Sequence, residues 1–192
     1  MRYFIDTEFI ESGPGMPIEL LSIGIVAEDG REFYAESNEY ITGHVTRWLQ
    51  DNVMPHLGKV PKQSLEEIGR GILEFVGEDE RPEFWAYHAD YDWVVFCQIF
   101  GRMIDLPDGF PKFCRDIKQL ASDLGNPQLP KQESDEHHAL ADARWNKRAH
   151  EFLVKTKEDM GLTALNAARG LTLSEYNRII ESHWKGGALD DR

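Results

Sequence analysis

Cysteine is almost missing from this chain. Cys97 and Cys114 are the only two, in unrelated segments without metal-ligand spacing, so neither a disulfide framework nor a thiolate zinc site organises the fold. Both read as core thiols of a reducing compartment. Basic residues are also scarce, 21 Lys and Arg against 34 Asp and Glu for a net charge of -13. That balance argues against a protein that grips nucleic acid through a broad cationic surface, but it leaves room for a site whose positive charge comes from bound cations. No apolar run approaches the roughly 20 residues of a bilayer-spanning helix, and no basic segment leading into an apolar stretch opens the chain as a secretory signal would. The expectation is a cytoplasmic protein with no membrane association. Internal repeats and low-complexity blocks are lacking too. What is present, 41% hydrophobic and 11% aromatic residues in 192, suffices for one globular domain or one domain with a small appendage.

The chain opens on "YFIDTEFI", residues 3–10, an apolar strand. A Gly/Pro-rich turn, "ESGPGMP", leads to "IELLSIGIVAEDGREFYAES", which reads as a hairpin turning at Asp29 and Gly30. Helical spacing follows over Thr46 to Leu57 and over Ser64 to Val76, the second opened by a Ser64/Glu67 capping box. "EFWAY" at 83–87 reads as a fourth strand and "DYDWVVFCQIFG" as a helix closed by Gly101. After a Pro/Gly loop come a helix from Asp116 to Leu124, a second loop, and a long helix over 138–156. Beyond Lys157 the sequence reads as two short helices and a polar tail. Strands alternating with helices predict an α/β domain with a mixed sheet.

The first strand raises the functional question, because alternation puts Asp6 and Glu8 side by side on one face. Two adjacent carboxylates repel unless a positive charge lies between them. They mark either a strand end fraying into solvent or part of a divalent-cation site, which needs further oxygen ligands. "HADYDW" supplies Asp90 and Asp92 after the fourth strand, and "EHHALADAR" supplies Asp142, with His137 five residues before it. Four acids can hold two divalent cations about 4 Å apart, which clamp the attacking and leaving oxygens of an in-line phosphoryl displacement. A histidine beside them could take the proton of the attacking water near neutral pH, and His137 is the candidate.

"DTE" on a first strand, "YD" opening a helix after a strand, and "HHALADA" carrying a fourth acid together resemble the three motifs of the DEDDh 3′-5′ exonucleases. The resemblance covers roughly residues 1–154, with His137, Ala139 and Asp142 filling the His-x-Ala-x-x-Asp third motif. It implies an α/β ribonuclease H-like three-layer fold, a central mixed β-sheet flanked by helices. The exonuclease domain would be residues 1–154, with residues 155–192 a C-terminal helical extension.

It further implies a metal-dependent 3′-5′ exoribonuclease that hydrolyses single-stranded RNA from its 3′ end to nucleoside 5′-monophosphates. Two divalent cations, Mg2+ or Mn2+, would be held by Asp6, Glu8, Asp92 and Asp142, with His137 the general base. Asp92 is preferred over Asp90 because the second motif ends in an aromatic-Asp pair, here Tyr91 and Asp92. Thr7 and Phe9 would bind the terminal nucleotide, Phe9 by stacking. Polyadenylate-specific members point to adenosine-rich ends, and relatives are often homodimers. One departure stands out: His88 occupies a position, four residues before Asp92, where many relatives have Asn.

Single-stranded DNA is the alternative substrate, and a non-catalytic nucleic-acid-binding module the alternative of another class. His138, at the motif's variable position, is the weaker choice for the base. Trp145 could face either way. Lys131, Arg144, Lys147 and Arg148 read as a solvated helix face before they read as phosphate contacts.

Overall fold

The structure, a computed structural model, describes residues 1–132 and 136–168, the last seven of these by backbone alone, together with residues 174, 175 and 178. Among the described residues, 1–116 and 132–147 form one compact unit, and 117–131 with those from 148 onward form a second. The first unit contains a six-stranded mixed sheet in the order β4-β3-β2-β1-β5-β6. Its strands are β1 (Arg2–Glu11), β2 (Ile18–Ala27), β3 (Glu32–Ser37), β4 (Lys62–Gln63), β5 (Glu83–Ala86) and β6 (Arg115–Asp116). The helices are α1 (Arg47–Asn52), α2 (Leu65–Val76), α3 (Ala89–Ile99), α4 (Ile117–Asp123) and α5 (Ala139–Ala168). This is the three-layer α/β arrangement expected of a ribonuclease H-like fold.

Alternation explains the layers. Tyr3 and Ile5 of β1, Ile23 and Ile25 of β2 and Ala35 of β3 are fully buried against Ile68 and Ile72 of α2 and Val95 and Phe96 of α3. The other face carries Asp6, Gly24 and Tyr34 in one row and Glu8, Ser22 and Glu36 in the next, paired across β1, β2 and β3. The start of α5 covers it, presenting Ala139, Ala143 and Asn146, all buried. Small residues at this spacing let the helix lie close to the sheet. At Gly24 the approach is closest: a Cβ there would lie 2.4 Å from the main chain of Ala139 and Leu140. Backbone cannot yield as a flexible side chain can, so Gly24→Ala is expected to destabilise the protein by about 2 kcal/mol or more. Thermal melting of the variant checks this.

Ser64 and Glu67 form the expected capping box of α2. Elsewhere the elements depart from the sequence reading. The helix expected over Thr46 to Leu57 stops at Asn52 and resumes as a 3-10 turn, Met54–His56, because Pro55 cannot donate to a continuing helix. Asp116 ends β6 instead of starting a helix. The long helix does not break near Lys157 but runs to Ala168; the rest of the expected tail lies outside the described residues, apart from 174, 175 and 178.

Candidate active site

The acids gather where β1 outruns its parallel neighbour. β5 pairs only with Arg2–Phe4, and beyond that point side chains from two helices take over the main-chain bonding of β1. Asn146 donates to the Ile5 carbonyl at 2.8 Å. Asp92 Oδ1 accepts both the Thr7 N–H, at 2.8 Å, and the Thr7 hydroxyl, at 2.6 Å. On the other edge of β1 the ladder to β2 slips between Glu8 and Phe9. A bulge at this place re-aims the strand beside the acids.

Asp6, Glu8 and Asp142 each present an oxygen within 4.8 Å of the others. Asp92 is outside that trio, yet its charge acts on both Asp6 and Glu8. Burial first, then the charges of Asp92, Asp142 and Glu8, pushes the Asp6 carboxyl well above the ordinary range. Glu8 is raised to about 8 by burial and by Asp142 and Asp92. Asp92 rises to about 6, chiefly by burial, against the lowering effect of the two Thr7 bonds. Burial also raises Asp142, while donors from Gln132 and His137 pull it down. Among the described residues, the charges that act on Asp6 are the carboxylates of Asp92, Asp142 and Glu8. A set of hard oxygen donors, mutually repelling and only partly hydrogen-bonded, is what a divalent cation fits.

Both oxygens of Asp142 are held. The His137 main-chain N–H donates to Oδ2 at 3.0 Å, and the Gln132 amide donates to Oδ1. Gln132 was not legible as a site residue in the sequence, where it sits in a featureless loop. Groups that orient a ligand carboxylate in this way commonly contribute about 10–100-fold to metal affinity. Gln132→Ala is expected to weaken Mn2+ binding by about that factor, measurable by titration calorimetry. His137 has a left-handed backbone, φ 66°, and its ring meets Trp48 edge-on at 4.9 Å. Together with Asp6, Asp142, Gln132, Tyr87, Trp145 and Asn146 it lines a cavity of about 230 Å³. Trp145 therefore faces the site, edge-on to Tyr87.

Other expectations come out as follows. Phe9 is half-buried and stacks on the exposed Tyr91 ring at 5.5 Å. Arg144 pairs with Glu32 through two bonds of 2.7 and 2.6 Å, and Lys147 caps the Ala27 and Glu28 carbonyls. Those two cations bind the β2–β3 hairpin, Arg144 from an exposed position on the helix face. His88 adopts φ 57°, ψ 52° at the N-terminus of α3. Histidine, like Asn, tolerates this left-handed conformation better than most residues.

The family model for the "3'-5' exoribonuclease Rv2179c-like domain" matches residues 1–154. The chain belongs to that family. The "3'-5' exoribonuclease Rv2179c" of Mycobacterium tuberculosis strain ATCC 25618 / H37Rv is 42% identical over 163 residues, 82% of this chain and 96% of the relative. The "3'-5' exoribonuclease MT2234.1" of M. tuberculosis strain CDC 1551 / Oshkosh is similar to the same extent. All the site residues described above lie within the matched span of the family model.

Proposed function

We propose that this protein is a 3′-5′ exoribonuclease that hydrolyses single-stranded RNA from the 3′ end to nucleoside 5′-monophosphates, preferring adenosine-rich ends. The observation that carries this reading is the convergence of Asp6, Glu8 and Asp142 oxygens within 4.8 Å of one another, beside a cavity that Asp6, Asp142 and His137 line. The relatives' names support RNA as the substrate. The exonuclease domain is residues 1–154, the span of the family match, with residues 155–192 a C-terminal extension that α5 enters.

Asp6, Glu8 and Asp142, with Asp92 supporting, would hold two Mg2+ or Mn2+ ions. When bound, such ions act as Lewis acids that stabilise charge on the attacking and leaving oxygens of the phosphate. The protein's own residues do the rest. His137 takes the proton of the attacking water. Asp92, fixed by two Thr7 donors, keeps β1 and α3 in register so that Asp6 and Glu8 keep their places. Phe9, backed by Tyr91, offers its ring to the terminal base. The main chain of Thr7 to Phe9 binds the sugar, where a contact to the 2′-hydroxyl tells RNA from DNA.

Digestion of 3′-labelled and 5′-labelled oligonucleotides tests this, using adenosine RNA, mixed RNA and the matching DNA with Mg2+ or Mn2+. The expected result is shortening of RNA from the 3′ end, fastest on adenosine, and slowed by about 10²–10⁴-fold in His137→Ala. DNA cut as fast as RNA would move the assignment to an exodeoxyribonuclease. Binding without product would make it a nucleic-acid-binding module.

A further inference from the structure

His138 forms the N-terminal boundary of α5: its carbonyl accepts the Asp142 N–H at 3.0 Å, the first bond of the helix. Histidine is not a residue that helix N-termini select; Ser, Thr, Asp and Asn are. Its side chain is engaged elsewhere. The imidazole stacks on Tyr34 of β3, centroids 4.8 Å apart and planes 22° apart, and His56 meets it edge-on at 6.1 Å. Tyr34 and the segment that follows His56 share one anchor. The Tyr34 hydroxyl donates to Glu36 Oε1 at 3.2 Å, and fully buried Glu36 also accepts the Gly58 N–H at 2.6 Å, two residues past His56.

The row Asp6, Gly24, Tyr34 thus forms a floor for the third motif. Tyr34 carries residue 138, Gly24 lies under residue 139, and Asp6 faces Asp142. His137 is the next residue back along the chain, with its own N–H tied to Asp142. Two points fix its main chain: that bond, and the slot that holds its neighbour.

We propose that His138 is a positioning residue whose ring, seated between Tyr34 and His56, fixes where the His137 imidazole stands in the cavity that Asp6 and Asp142 also line. The proposal rests on His137 being the general base. A displaced base loses rate without loss of substrate binding, because a misplacement of about 1 Å can cost about 10²-fold.

The test measures kcat and KM on adenosine RNA, calorimetric Mn2+ affinity and melting temperature for His138→Ala, His138→Phe, His137→Ala and the double variant. His138→Ala is expected to lower kcat by about 10–100-fold, with KM and Mn2+ affinity within about twofold of the parent. His138→Phe, which keeps a ring in the slot, is expected to recover most of kcat. In the His137→Ala background, His138→Ala is expected to add no further loss, since it acts through the missing base. Unchanged kcat in His138→Ala, loss in proportion to melting temperature without rescue by Phe, or an additive loss in the double variant overturns the proposal. Full activity in His137→Ala overturns the general-base reading and this proposal with it, an outcome distinct from the others.

Discussion

Asp6→Asn is expected to abolish activity and, at the same time, to make the metal-free protein more stable. Loss of one carboxylate from the trio should lower the rate by about 10³-fold or more, equivalent to about 4 kcal/mol of barrier. Yet the same carboxylate is costly when no cation is present. Asp6 is pushed up by burial and by Asp92, Asp142 and Glu8. Asn keeps the shape and removes the charge, so at pH 8 without metal the gain should be about 1–2 kcal/mol, or about 2–8 °C in melting temperature. Adding Mn2+ should reverse the order, because only the parent then gains the full binding energy. Melting curves with chelator and with Mn2+ check both halves. A structural acid cluster would behave differently: its Asn variant would melt lower under both conditions.

This opposition also explains which parts of the site were legible in the sequence. Acids on a buried strand face conflict with its apolar pattern, and that conflict made Asp6 and Glu8 visible. His137 and Asp142 were legible through their fixed spacing on one short segment. Tyr34 and Gly24 were not, because they act across strands and only the pairing register puts them in one row with Asp6. Gly24 did leave a trace: a glycine inside an otherwise apolar strand marks a close approach of another backbone, here the start of α5. β4 and β6 are two residues each, too short to leave a period. Pro55 divides the helical spacing read over Thr46 to Leu57, since proline has no N–H to donate to a continuing helix. Gly161 sits inside α5 with nothing within 4 Å of where its Cβ would be, so the helix passes through it at only the entropic cost of a glycine.

The stability of the metal-free protein should fall as pH rises from about 5 to about 8. Glu8 moves from an ordinary 4.5 in the unfolded chain to about 8 in the fold, and Asp92 from 3.8 to about 6. Within these windows the native state binds more protons than the unfolded state, so the slope of unfolding free energy against pH is negative. Each excess proton contributes about 1.4 kcal/mol per pH unit. Carboxyls held below their usual range work in the opposite sense but at lower pH. Asp105, brought down to about 2 by Arg102, gives up its contribution only as pH falls below about 4.

Divalent cations compete with the same protons, so the stabilisation they confer should grow across the interval in which chelated protein weakens. Melting temperature measured from pH 5 to pH 8 is thus expected to decline with chelator and to flatten with saturating Mn2+. The two curves converge near pH 5, where protons already neutralise the cluster. Glu8→Gln should flatten the chelated curve, because it removes the group whose window spans most of the range. A chelated curve that rises with pH would mean that the acids are compensated by fixed charges of the protein, and the case for a cation between Asp6, Glu8 and Asp142 would go with it.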